Sequence, residues 1–468
     1  MKKILLWLMV VVFIISMTSL GIGCKATTAG ITAAETTAAE TTAAETTAAA
    51  EELGVKPPES PVKITLVSWS LINPTDTEWE PRYQKFREKY PTIEIEVTQP
   101  LYADHVTLLK TGFAAGAGPD LFGAQVGGMM FAFSSFAEPL DSYCIQEWGE
   151  NWQDKFVSSA LDQVHWVSKQ TLGLPDTINC LGGMWYNKTL FDKLNLEVPK
   201  TYDELLKVAD ILRSNGYTPV GHAGAEGWAN VDLFMDICTQ ISGDKLWKAD
   251  AGEISWTDPD LVASMEMFQK FFKDNLFGKD PFTGVTFWDK INPFMEGKTG
   301  MYDYGCGLTS PALALVLYGK QDPNTVFRPM EVPDLNNDGE YSKGVSVAQL
   351  IWMINKNTDE AKKRAAFIVI KEMIDGDGIF NEFHRNKLFF NSFLSAKPDP
   401  KLFTPAQLEV YNFWIPKIES AVGSREFKYQ EITEVVRDNL NEVAIGNETP
   451  IEALGAIQKV SDTMERPY

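Results

Sequence analysis

Basic clusters, histidine and cysteine are all scarce in this chain. It carries 42 Lys and Arg against 63 Asp and Glu, a formal charge of −21, with no run of basic residues longer than the three at Lys362-Lys363-Arg364. That removes the electrostatic footprint that nucleic-acid binding requires. It also disfavours an anionic ligand unless a pocket locally inverts the sign. The four histidines, His105, His165, His222 and His384, form no HxxxH or HExxH pair, so neither a metal centre nor a catalytic triad can be assembled from them. No cofactor, metal or catalytic residue is expected. Glu296-Gly297-Lys298-Thr299 ends like a phosphate-binding loop, but the position that needs the first glycine is Asn292. Apart from Cys24, the cysteines Cys144, Cys180, Cys238 and Cys306 stand far apart without a CxxC pair. Three pairings are open to them, and buried free thiols suffice in a chain long enough to build its own core. Carboxylates are abundant enough that counting excludes no hydrolytic pair, yet nothing singles one out.

What is present points to a large exported body. A chain of 468 residues, 44% apolar and 12% aromatic, is globular and has room for two or three domains. Lys2 and Lys3 precede the apolar run Ile4–Ile15, then a polar and small stretch leads to Cys24, the pattern of a secretory signal. Leu20-Gly21-Ile22-Gly23-Cys24 resembles a bacterial lipoprotein cleavage box, with Leu displaced by one residue from its usual place. That resemblance implies a signal peptide over 1–23 and lipidation of Cys24. Left uncleaved, residues 4–23 are long enough to span a bilayer instead. An AAETT repeat and the breaker Lys56-Pro57-Pro58 follow, so 24–60 reads as a low-complexity tether. Fully extended, about 35 such residues reach roughly 115–125 Å.

The folded body begins at Val62. Ile64–Trp69 reads as a strand, Thr77-Glu78-Trp79-Glu80 as a capping box opening a helix with Trp79, Tyr83, Phe86 and Tyr90 on one face, and Ile93–Val97 as a second strand. This is a βαβ unit, and it predicts an α/β fold with a parallel sheet. Thr201–Glu204 and Thr449–Glu452 are two further capping boxes, and the chain from Pro405 onward has helical period. Asp334-Leu335-Asn336-Asn337-Asp338-Gly339 matches the first half of a calcium loop, but the twelfth position is Val345; a polar loop is the simpler reading, and a calcium site completed from elsewhere is the other.

Six stretches occur in order: Phe86–Val97; Ala115–Phe122; Gly173–Pro175 with Trp185–Phe191 and Val198–Leu205; Phe294–Met301; Asp359–Ala361 with Ala365–Phe367; and Thr449–Leu454. Together they resemble the extracellular solute-binding proteins of bacterial ABC importers, in the sugar-binding group related to maltose-binding protein. The resemblance implies two α/β lobes joined by crossing hinge strands, with a ligand cleft between them. The expected division is 61–174 and 344–390 in lobe 1, and 175–343 with the C-terminal helices of 391–468 in lobe 2. A pyranose offers an apolar face and a rim of hydroxyls, which suit aromatic rings and Asp, Glu, Asn or Gln respectively.

Ligands of open α/β sheets bind beyond the carboxyl ends of strands, which selects Trp69, Ser70 and Gln125. The resemblance adds Glu226, Trp228 and Tyr304 as an acid with stacking rings, and Phe390 and Asn391 from a late loop. It implies a monomeric, non-enzymatic receptor, held at the extracytoplasmic face of the cell membrane by its lipid, that delivers a sugar or oligosaccharide to a membrane permease. A lipid-anchored carbohydrate-active enzyme, a sensor and a receptor for a non-sugar solute are the alternatives.

Overall fold

The computed structural model describes residues 53–69, 74–166, 168–278, 281–282, 287–306 and 325–466; the leader, Cys24, the tether up to residue 52 and Ser70 lie outside them. In chain order the strands are β1 (Val62–Val67), β2 (Ile93–Thr98), β3 (Leu121–Ala124), β4 (Leu174–Pro175), β5 (Thr177–Leu181), β6 (Met184–Asn187) and β7 (Thr218–Gly221). They continue with β8 (Thr299–Tyr302), β9 (Phe327–Met330), β10 (Val345–Ala348), β11 (Ile351–Ile354), β12 (Phe390–Asn391) and β13 (Gly423–Ser424).

The first sheet has the order β2-β1-β3-β11-β4. Its opening is the expected βαβ unit: β1 and β2 run parallel, Val62 opposite Ile93 through Val67 opposite Thr98, and helix Glu80–Lys89 joins them. Ile64 and Leu66 are fully buried under helix Glu360–Ile374, which packs on β1. The helix between the strands starts later than expected. Trp79 is its N-cap and makes no side-chain capping bond; Asp76 closes the preceding turn instead, accepting from Glu78 N at 2.7 Å. The expected apolar face is real, with Trp79, Tyr83 and Phe86 each at most 3% exposed and their rings packed against Phe380 and Phe383.

The second sheet has the order β7-β8-β6-β9. Thr201 caps helix Tyr202–Ser214, but Glu204 reaches back to Lys200 N rather than Thr201 N, so this box is only half formed. The box at Thr449 and Glu452 is complete. Helices Trp228–Ile241, Pro259–Lys273, Gln430–Ile445 and Pro450–Thr463 bury one core with this sheet, including Phe234, Phe268, Leu440 and Ile457. A separate core lies around the first sheet. Phe393 and Ala396 belong to that first core, so the chain packs with the first sheet for some residues beyond Asn391.

A third, small sheet of order β12-β5-β10-β13 joins the two. Asp176 alone separates β4 in the first sheet from β5 in the joining sheet, and Gln349–Leu350 separate β10 from β11. The two crossovers are tied to each other: Gln349 N donates to Thr177 O at 2.8 Å and Asp176 N to Leu350 O at 2.9 Å. Short strands that leave one sheet and enter another at adjoining points form a hinge. The fold is a two-lobed α/β architecture, as expected.

Asp334 does not sit in an ion loop. Its carboxylate accepts from the backbone N–H groups of Asn336, Asn337 and Gly339 at 2.7–3.2 Å, an Asx-type turn that occupies its oxygens. No cluster of three or more metal-ligating side chains occurs among the described residues. Cys144, Cys180, Cys238 and Cys306 are buried free thiols. Among the described residues no helix is long and apolar enough to cross a membrane.

Candidate functional site

A cleft of about 1680 Å³ is lined by residues of both lobes and of the joining sheet. From the first lobe come Trp69, just beyond β1, and Gln125, just beyond β3, with Met129 and Phe131 from the helix that follows. Both expected residues thus stand at carboxyl ends of parallel strands, where the pleat stops and side chains are free to face a ligand. His105 sets the indole of Trp69, meeting it edge-on with centroids 4.7 Å apart. His105 is fully buried, and its Nε2–H donates to Gly123 O at 2.8 Å. Burial lowers its pKa, so the ring that supports Trp69 stays neutral.

The second-lobe wall is built differently. Gly224–Glu226 forms a single 3₁₀ turn, and Gly227, at φ 69°, reverses the chain into helix Trp228–Ile241. A side chain at Gly227 would be strained at that φ and would strike the Arg437 stem at 2.5 Å. The reversal places Glu226 and Trp228 side by side, and Trp228 Nε1 donates to Glu226 Oε2 at 2.5 Å. Tyr304, two residues beyond β8, meets Trp228 edge-on at 6.1 Å.

Behind them runs a buried polar layer. His222 Nδ1 bonds Asp303 Oδ2 at 2.5 Å and its Nε2 bonds Asn230 Oδ1 at 2.6 Å. These contacts tie the ends of β7 and β8 to the helix that carries Trp228. Arg425 forks onto Asp232 through Nε and Nη2 at 2.8 and 2.7 Å, and its guanidinium lies over the Trp228 ring, 5.6 Å from the centroid. Burial opposes the charge on Arg425, but Asp232 outweighs it and raises the guanidinium pKa further. Burial raises the Asp232 carboxyl in turn, and the guanidinium pulls it back. Paired in a fork, the two remain ionised. Beside them burial pushes Glu426 up to about 7.

The structure therefore brings Trp69, Gln125, Glu226, Trp228, Tyr304 and Phe390 to one cleft. Phe390 reaches it from β12 with its ring stacked on Tyr411 at 4.6 Å and an interplanar angle of 6°. Asn391 is not on the lining. Its amide bonds Asn381 Nδ2, Phe389 O and Ala396 O at 2.9–3.3 Å, which ties down the loop rather than facing the cleft. Sequence reasoning did not find Arg425, Tyr429 or the floor residues Thr177, Asn179 and Gln349. The floor was accessible to it in principle, because these residues flank the two hinge crossovers.

A family model described as bacterial extracellular solute-binding protein matches residues 71–369. The chain belongs to that family. Solute-binding proteins of this kind are binding proteins and not enzymes. Among relatives, an uncharacterised ABC transporter extracellular-binding protein of Pyrococcus horikoshii is 26% identical over 46% of this chain and 51% of its own length. The multiple sugar-binding protein of Streptococcus mutans is 28% identical over 65% of this chain and 70% of its own. Against the first of these, the match spans about half of the relative's length. Among solved structures, the maltose-bound MalE3 of T. maritima is similar with a TM-score of 0.69 at 19% identity, covering 86% of this chain and 99% of that one. At that identity the likeness speaks for the two-lobed fold.

Proposed function

We propose that this solute-binding protein captures a sugar or short oligosaccharide in its interlobe cleft and presents it to the permease of an ABC importer. The observation that carries this reading is the composition of the cleft. Indole and phenol rings of Trp69, Trp228 and Tyr304 stand with the hydroxyl-binding groups of Gln125 and Glu226 in one space of about 1680 Å³. Rings suit pyranose faces, and carboxylate and amide oxygens suit hydroxyl rims. The likeness to a multiple sugar-binding protein and to a maltose-bound receptor supports the same choice.

Binding here is a conformational act. A ligand held by one lobe shifts the hinge toward closure only through contacts that the second lobe completes. Turning a 1:99 population into 99:1 takes about 5.5 kcal/mol of such differential contact, which stacked rings and charge-assisted hydrogen bonds can supply. The closed form is then the signal the permease reads. Cleavage before Cys24 and lipidation of its thiol would hold the body at the membrane on its tether, within reach of that partner.

Thermal unfolding of the full chain against mono- and oligosaccharides tests the reading. A bound sugar at 100 times its dissociation constant adds about 2.7 kcal/mol, so the expected result is a melt raised by a few degrees with one sugar class, recovered unchanged. A melt that moves with peptides or polyamines and with no sugar would overturn it. Mass spectrometry of the membrane fraction tests the anchor: a diacylglyceryl group on Cys24 is expected, and an unmodified thiol would remove it.

A further inference from the structure

The turn that presents Glu226 and Trp228 has little stiffness of its own. It reads Gly224-Ala225-Glu226-Gly227, with a glycine at each end. Its backbone bonds are Glu226 N to Ala223 O at 3.0 Å and Gly227 N to Gly224 O at 3.3 Å. Asn230, fully buried two residues into the helix that follows, braces it from behind. Its Nδ2 donates to Gly224 O at 3.2 Å and to Asn441 Oδ1 at 2.5 Å. With both amide hydrogens spent on acceptors, the other end of the amide must be its oxygen. The hydrogen in the 2.6 Å contact with His222 therefore belongs to His222 Nε2, which donates to Asn230 Oδ1. One amide thus joins the strand end at His222, the start of the turn and helix Gln430–Ile445. That helix grips the turn a second time, because the Arg437 stem, one helical turn before Asn441 on the same face, closes on Gly227.

Resting on the sugar reading above, we infer that Asn230 is a positioning residue for the ligand: it holds the turn over 224–227 in the shape that sets Glu226 and Trp228 against the sugar. A wall already fixed in its bound shape loses less freedom when the ligand orders it, and so binds more tightly. Asn230 and His222 are buried behind the wall and act on the sugar only through the turn. Trp69, across the cleft, rests on His105 instead and is independent of this brace.

Calorimetry of the full chain with di- and trisaccharides of glucose, xylose and galactose tests this, the tightest wild-type binder serving as the probe. Asn230→Leu, which keeps the branching and removes the amide, should weaken binding about tenfold. Asn441→Ala leaves the buried amide in place and should weaken it about threefold; it takes over where Asn230→Leu does not fold. A merely structural role would cost the same whichever wall is already damaged, so a pair of double-mutant cycles decides. Beside Trp69→Ala the Asn230→Leu loss should stay about tenfold, and beside Trp228→Ala it should shrink to about threefold or less. The Asn441→Ala loss should likewise persist beside Trp69→Ala and vanish beside Trp228→Ala. Undiminished binding by a folded Asn230→Leu, or by Asn441→Ala in its place, overturns the inference and leaves the sugar reading standing. So do equal losses in the two backgrounds. Wild type binding no sugar overturns the sugar reading, and this inference falls with it.

Discussion

The two walls of the cleft solve one problem by opposite means. The first-lobe wall is Trp69, Met129 and Phe131 around Gln125, and the group behind Trp69 is a buried neutral imidazole. The second-lobe wall is Glu226, Trp228 and Tyr304 on a buried polar layer, the Asp232–Arg425 ion pair and the hydrogen-bonded Asp303 and His222. An apolar wall tolerates rotation of a ring lying on it, whereas a hydrogen-bonded wall demands one orientation. On the reading proposed above, the first lobe would receive a sugar face and the second would read its hydroxyls, an order suited to capture before closure.

The largest break in this contrast comes from Arg425→Met, which leaves Asp232 buried without its partner. A loss of about 3–5 kcal/mol is expected from removing one member of such a pair, seen as a lower midpoint in urea unfolding. Next, Trp228→Ala should weaken sugar binding by about 1.5–3 kcal/mol, because the ring's area and the orientation of Glu226 go together. Trp69→Ala, on the wall without a charged layer, should cost only about 0.5–1.5 kcal/mol. Calorimetric affinities for the pair check this, and equal losses would erase the distinction between the walls.

A subtler contrast appears in pH. In the second lobe burial pushes Asp250 up to about 6. Its folded form holds a proton that the unfolded chain releases near the ordinary carboxylate range, so its contribution is present at low pH and is lost as pH rises through about 6. In the first lobe burial would raise Asp120, but hydrogen bonds from Thr358 and Thr65 and the charge of Lys362 outweigh it and lower its pKa. Its contribution is present above the ordinary range and is lost as pH falls. Melting the variants from pH 4 to pH 7 should show Asp250→Asn gaining on wild type, and carrying the melts from pH 4 downward should show the deficit of Asp120→Asn shrinking. Parallel curves would contradict the assignment.

Much of this was legible in the chain itself, for identifiable reasons. Alternation in Ile93–Val97 and the ring spacing of Trp79, Tyr83 and Phe86 are local signals, and they produced the βαβ unit. Glu226, Gly227 and Trp228 are contiguous, so their joint placement needed only one turn. Arg425 and Asp232 are 193 residues apart, and β12 and β13 are two residues long, too short for any period to show. Asn391 misled because its neighbour Phe390 does reach the cleft; in a strand, successive side chains face opposite ways, and this one turned to Ala396. The box at Thr77 failed because Asp76, one residue earlier, captured the turn.

Asp176 has a mechanical consequence. Its N–H is held by Leu350 O, its carbonyl receives Ser392 N at 2.7 Å, and its carboxylate receives Trp352 Nε1 at 2.9 Å. A pivot gripped by two other segments, one at Leu350 and Trp352 and one at Ser392, cannot swivel alone; any torsion there is shared with Gln349–Leu350 alongside. Tied crossovers of this kind favour one bearing over a ball joint, so any lobe travel is expected along a single arc. Fluorophores placed on the two lobes would report that arc as one distance coordinate, with every pair of labels tracking every other.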